Sequence, residues 1–154
     1  MKSVSKILES RKGFSLVEML VVIAIMAILT GGAVASIAIV NNANVNKAAK
    51  ALDDAFSKAR SNGMARGDSY TFNLTMVGNS LQASSGGSAP EKISGGGVSV
   101  ALPAVTSYYF TADGGVRAVS GSLSVSENVV FTHGDRTAVF WFYPISGEHG
   151  VKLN

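Results

Sequence analysis

The sequence predicts an α+β fold in which one long N-terminal α-helix, transmembrane over its first half, packs against a C-terminal antiparallel β-sheet. Three features predict it: an uncharged apolar run from Met19 to Val40, a helical apolar period that continues to Arg66, and short strand-like segments after it. We therefore divide the chain into four parts: 1–13, a polar leader; 14–40, a transmembrane helix; 41–66, the amphipathic second half of the helix; and 67–154, a β-rich exported domain.

The run from Met19 to Val40 has the length of a membrane-spanning helix. Its 22 residues contain no charged side chain, and at about 1.5 Å per residue they cross a hydrocarbon core of roughly 30 Å. Residues 1–13 hold four basic side chains and one acidic side chain. This bias places the N-terminus in the cytoplasm and the rest of the chain, after a single span, outside it.

The positive charge of the chain is concentrated before the helix. The full chain has 13 basic and 10 acidic residues, but residues 14–154 have nine of each. Nucleic-acid-binding proteins normally carry a net positive charge, so the overall charge gives no support for DNA binding. The chain has no cysteine, which excludes disulfides, thiolate metal sites and a cysteine nucleophile.

The second half of the helix keeps one apolar face, which the spacing predicts to be buried. This face consists of Val45, Ala48, Ala49, Leu52, Phe56 and Ala59. Asn62-Gly63 and Arg66-Gly67-Asp68 are typical of a helix C-terminus. Gly31-Gly32 leaves two interpretations open: close helix packing in the membrane, or a segment that melts when the chain leaves the bilayer.

The apolar period changes to two after the helix. Residues 70–76 predict a strand that returns, through a turn at Gly78-Asn79, over residues 81–83. The Ser- and Gly-rich residues 84–97 predict an exposed loop. Trp141 and its aromatic neighbours are expected to form a central strand against the helix. An antiparallel meander is expected from the segments 98–102, 105–110, 116–119, 123–125, 129–132, 138–143 and 150–153.

Glu18 is unusual because it places a carboxylate at the start of the apolar helix. A charge in lipid costs about 2.5–3.5 kcal/mol at the helix centre, and less near an end, so we expect it to be paired. No Lys or Arg lies between Phe14 and Val40. The partner is therefore expected on another chain, or at a new N-terminus of this one.

The stretch Lys12-Gly13-Phe14-Ser15-Leu16-Val17-Glu18, with the apolar run after it, resembles the prepilin motif of type IV pilins and type II secretion pseudopilins. In that family a prepilin peptidase cuts after the glycine and methylates the new terminal residue. The resemblance implies cleavage of a prepilin leader between Gly13 and Phe14, N-methylation of Phe14, and pairing of Glu18 with the terminal amine of a neighbouring subunit during filament assembly. It also implies a type IV pilin-like fold, with 14–40 as the assembly helix.

The resemblance implies a structural subunit, a minor pilin or pseudopilin, of a type IV pilus or a type II secretion pseudopilus. Its partners would be the prepilin peptidase, other pilin subunits, the inner-membrane assembly platform, and membrane lipid before assembly. It would lie in the cytoplasmic membrane and then in the filament. The segment from Phe110 to Gly115, with the C-terminal hairpin after it, is similar to H-type minor pseudopilins and FimT/FimU-like minor pilins.

We expect no enzyme, because the sequence holds no catalytic constellation and no cofactor motif. His133 with Asp135, and His149 with Glu148, lie in separate turns, where Asp and Gly are favoured for backbone reasons, so we expect no metal site. Asp113-Gly114-Gly115 lacks the alternating oxygen ligands of a twelve-residue calcium loop.

Two other functions remain open from the sequence. One is a DNA-binding minor pilin of a DNA-uptake pilus, for which the C-terminal candidates are Arg117, Arg136 and Lys152. These are widely spaced and mixed with acidic residues, whereas phosphate binding needs clustered positive charge, so we do not expect nucleic acid as a partner. The other is a membrane-anchored domain that uses the prepilin export route without polymerising.

Overall fold

The computed structural model describes residues 14–66, 70–95 and 97–154, and the side chains of these residues except 32–35. The expected leader, 1–13, lies outside the described residues. The chain separates into two compact units, which divide after Ile37 within the long helix. The elements are α1 (Leu16–Arg66), β1 (Thr71–Val77), β2 (Ser80–Ser85), β3 (Glu91–Lys92), β4 (Ser99–Ala101), β5 (Ser107–Phe110), β6 (Val116–Ala118), β7 (Glu127–His133), β8 (Arg136–Phe142) and β9 (His149–Leu153).

The α+β fold is confirmed, with a long helix against antiparallel strands, but the strands form two sheets. The first has the order β3-β2-β1-β5-β6 and the second β4-β7-β8-β9. The prediction of a single antiparallel meander is wrong, because β1 pairs with β5 and β4 pairs with β7. Two sheets can each turn an apolar face to the same helix, whereas a single twisted sheet of nine strands would extend beyond it.

One local expectation fails and a second holds only in part, since residues 86–92 are exposed but their neighbours are not. Residues 123–125 form no strand; Val125 is 82% exposed, and the Ser124 N–H donates to the side chain of Glu127 at 2.8 Å. The expected exposed loop contains β3, which pairs with β2, and after it Ile93 and Ser94 are buried. The N–H groups of both residues donate to the Leu81 carbonyl oxygen, and the Ser94 hydroxyl accepts from the Leu81 N–H, so these polar groups are satisfied inside the core.

The predicted apolar face of α1 is confirmed, since all six of its residues are buried. The helix continues through Asn62-Gly63 and ends at Arg66. Gly63 serves packing instead, because a Cβ there would lie 2.7 Å from Cβ of Phe110. The glycine lets β5 approach the helix closely.

Phe56 occupies the centre of the core. Its ring lies 5.6 and 5.2 Å from those of Phe72 and Phe110 in the first sheet, and 5.3 and 5.0 Å from those of Phe140 and Phe142 in the second. These are centroid distances typical of favourable aromatic pairs. One side chain of the helix therefore holds both sheets.

The strand around Trp141 lies inside its sheet, as predicted, but Trp141 itself does not face the helix. Successive side chains of a strand point to opposite faces, and in β8 Phe140 and Phe142 take the buried face. Trp141 lies on the outer face beside Gly150, where an added Cβ would come 3.1 Å from its indole ring.

Replacing Phe56 by Ala should lower the free energy of unfolding of the second unit by about 3–5 kcal/mol, because it opens a cavity between both sheets and the helix. Urea denaturation of the full chain in detergent, followed by the fluorescence of Trp141, measures this. The control is Val125→Ala, at an exposed position, which should stay within about 0.5 kcal/mol of the parent. Equal losses in the two variants would contradict a central role for Phe56.

Candidate functional site

The candidate site is the first turn of α1, where the prepilin-like residues lie. Phe14 and Ser15 precede the helix, which begins at Leu16. The Val17 N–H donates to Ser15 Oγ at 3.2 Å, and the Ser15 N–H donates to Glu18 Oε2 at 2.9 Å. Together these bonds cap the start of the helix: the Ser15 hydroxyl accepts from the N–H two residues later, and Glu18, three residues after the N-cap, accepts from the Ser15 N–H as in a capping box. The signature is visible in the sequence, but interpreting Glu18 only as an ion-pair partner missed it.

Glu18 accepts a hydrogen bond within its own chain, while the cationic partner expected on another chain or at a new N-terminus stays a prediction. The backbone N–H of Ser15 satisfies one carboxylate oxygen, and the positive end of the helix dipole favours a negative charge at this position. Over the described part of the chain, no cationic side chain lies within 4.0 Å of this carboxylate. The carboxylate is thus hydrogen-bonded, and the described residues place no positive charge beside it.

The helix after this turn presents apolar side chains to its surroundings. Phe14 is 78% exposed, and the large apolar residues from Leu16 to Leu29 are exposed as well. By length and composition α1 contains a segment able to cross a membrane, and none of that segment is buried in the structure. The hydroxyl of Thr30 donates to the carbonyl oxygen of Met26, which satisfies a polar group inside the apolar run.

The histidines lie apart and do not form the four-residue cluster considered from the sequence. His133 Nδ1 is 3.3 Å from Asn44 Nδ2, whereas His149 Nε2 is 3.9 Å from Asp53 Oδ1 and its Nδ1 is 2.9 Å from the carbonyl oxygen of Gly147. Asp135 pairs with neighbouring Arg136 at 3.8 Å. Within the described ranges, no group of three or more His, Asp or Glu residues is placed to hold a metal ion.

Asp113 closes the turn between β5 and β6. Its carboxylate accepts hydrogen bonds from the Thr111 hydroxyl and, at 3.4 Å, from the Gly115 N–H. These bonds, that of Thr111 first, hold the pKa of Asp113 below its ordinary value. The carboxylate is thus engaged in turn geometry.

The structure does not bring together the three basic residues considered for DNA binding. Arg117 lies on β6 of the first sheet, while Arg136 and Lys152 lie in the second. Lys152 pairs with Val139, whose position alternates with the buried residues of β8, so Lys152 and Arg136 lie on opposite faces. The three residues therefore lie on different sheets or different faces.

A family model described as the prokaryotic N-terminal methylation motif matches residues 10–34. The match supports the type IV pilin and pseudopilin family. Members of this family are structural subunits rather than enzymes. The motif implies processing by a prepilin peptidase, membrane anchoring, and assembly with other pilin subunits. No curated protein and no solved structure matched the chain.

Replacing Thr111 by Val should raise the pKa of Asp113, because the strongest hydrogen bond to its carboxylate is lost. An NMR titration of the Asp113 carboxyl carbon measures this. In the parent, a lowered folded-state pKa means that the contribution to stability is present above the ordinary pKa and disappears as pH falls through the folded value. Thr75→Val, on an exposed part of β1, is the control and should leave the titration unchanged; an unchanged pKa in Thr111→Val would contradict the assignment.

Proposed function

We propose that this protein is a structural subunit, a minor pilin or pseudopilin, of a type IV pilus or a type II secretion pseudopilus. The observation that carries the proposal is the methylation motif at residues 10–34. The exposed apolar side chains of the helix support it, because they need either lipid or other helices around them. Lipid surrounds these side chains while the subunit is in the bilayer, and the helices of other subunits surround them in the filament.

Residues 1–13 form the leader in this proposal, and the peptidase hydrolyses the amide between Gly13 and Phe14. Phe14 then carries a free amine, which is methylated. Two features support access to this bond: Phe14 lies before the first helical residue, and its side chain is exposed. The capping box at Ser15 keeps the start of the helix on the C-terminal side of the cleaved bond.

Before assembly the chain crosses the cytoplasmic membrane once through residues 14–40, with its N-terminus in the cytoplasm. Residues 41–66 and the β-rich region 67–154 then lie outside. The assembly platform of the inner membrane lifts the subunit into the filament, and neighbouring helices replace the lipid around the apolar surface.

Glu18 neutralises the amine of Phe14 in an adjacent subunit. Its bond to the Ser15 N–H, through Oε2, supports this role because it fixes the carboxylate at the first turn. An ammonium partner would supply the positive charge that the described part of this chain does not place beside it. A paired charge is also far less costly near lipid than an unpaired one.

Replacing Gly13 by Val should leave an uncleaved precursor, because the β-branched side chain crowds the bond to be cut. Co-expression with a prepilin peptidase, followed by the intact mass of the membrane-extracted protein, measures the cleaved fraction. Ser10→Val, within the leader but away from the bond, should be cleaved like the parent. Normal cleavage of Gly13→Val would rule out the bond after Gly13 as the cleavage site.

Two substitutions of Glu18 separate its charge from its capping role. Gln can also complete a capping box, so Glu18→Gln keeps the helix start but loses the charge, whereas Glu18→Ala loses both. We expect both variants to be processed and neither to enter filaments, which the sheared-filament fraction measures against the total membrane pool. Assembly of Glu18→Gln at the level of the parent would show that filament assembly needs Glu18 for helix capping and not for a charge pair.

A further inference from the structure

Arg60 extends from α1 to two turns that belong to different sheets. Its Nε–H donates to the carbonyl oxygen of Gly114 at 2.9 Å, and its Nη2–H donates to that of Ser146 at 3.0 Å. Gly114 lies in the turn between β5 and β6, and Ser146 in the turn between β8 and β9. One guanidinium therefore connects the helix with both sheets.

The two turns also touch one another around this group. The Val116 N–H donates to the carbonyl oxygen of Pro144 at 2.7 Å, which joins the sheets directly. Gly147 has a positive φ of 66°, and a Cβ there would lie 2.0 Å from the Gly114 oxygen and 2.6 Å from Arg60 Nε. Glycine is thus required at Gly147 both for its backbone conformation and for the close approach of the turns.

We propose that Arg60, a half-buried cation, makes these two turns a single unit and closes the C-terminal region of a chain without cysteine. The carbonyl oxygens of Gly114 and Ser146 both accept from this one side chain. The guanidinium supplies two charge-assisted hydrogen bonds, which are stronger than bonds between neutral groups. This inference is independent of the proposed role in a filament.

The role requires arginine rather than any cation. Two different nitrogens of one planar group reach the two oxygens, whereas the single ammonium of lysine cannot hold the same fork. The position on the helix is equally specific, because Arg60 lies four residues after Phe56 and so one turn further along a similar side of α1. Packing of Phe56 between the sheets places the guanidinium at the turns.

The joined turns form part of the wall of an open cleft of about 590 Å³. Thr111 and Asp113 from one turn, and Pro144 and Ile145 from the other, line it. The shape of this cleft depends on the two turns staying together. Arg60 itself does not line the cleft.

Hydrogen exchange of the full chain in detergent tests the proposal. In Arg60→Lys the Val116 amide and the amides of the turn 143–148 should exchange about tenfold faster, as expected when a hydrogen bond to a charged group is lost. Amides of the β1–β2 hairpin should keep the rate of the parent. Gly147→Ala, which retains Arg60 but forces the turns apart, should give the same local pattern.

Arg66→Ala is the matched control, since Arg66 is an exposed arginine whose guanidinium carbon lies 5.5 Å from the Tyr70 ring centroid. It should leave both turns unchanged. Parent-like exchange of Val116 in Arg60→Lys would overturn the proposal, because a charge alone would then suffice. Equal acceleration in the β1–β2 hairpin would also overturn it, by showing an effect on global stability rather than on the joined turns.

Discussion

The second unit depends on a single constraint: one face of one helix must serve two sheets. Phe56 meets that constraint, because its ring contacts phenylalanines from both sheets at centroid distances between 5.0 and 5.6 Å. The other buried residues on this face of the helix are small or aliphatic, which allows the strands to approach closely. Gly63 extends this approach by admitting the ring of Phe110 against the helix backbone.

Hydrogen bonds fix the positions of turns that packing of the aromatic core does not fix. Burial of apolar side chains is non-directional and does not by itself fix where turns lie, whereas hydrogen bonds to defined carbonyl groups do. Arg60 donates such bonds where β5–β6 and β8–β9 turn, and the carboxylate of Asp113 accepts hydrogen bonds from the Thr111 hydroxyl and the Gly115 N–H in the first of these turns. This small domain, which has no disulfides, therefore combines a packed core with turns that hydrogen bonds hold in place.

Local sequence patterns predicted the parts of this fold that depend on near neighbours. The buried helix face and the β1–β2 hairpin with its turn at Gly78-Asn79 follow from periodicity and turn chemistry, and both are confirmed. The division into two sheets did not follow, because it depends on pairing between distant segments, and β3 and β4 are too short to show a period. Arg60 was missed for the same reason, since its acceptors lie 54 and 86 residues away.

The first turn of α1 shows how a correct motif can still be incompletely interpreted. The charge of Glu18 points to an ion pair, whereas Ser15-Leu16-Val17-Glu18 also carries the signature of a helix cap in which Glu18 takes part. The two roles are compatible: one oxygen holds the helix start, and the negative charge remains available to an amine.

The N-terminus of the wild-type protein, isolated from cells that make a prepilin peptidase, tests the proposed function most directly. Mass spectrometry of the N-terminal peptide should find Phe14 as the first residue, with one methyl group on its amine. A chain that still begins at Met1, or one cut on the far side of the apolar helix, would contradict processing as a pilin subunit.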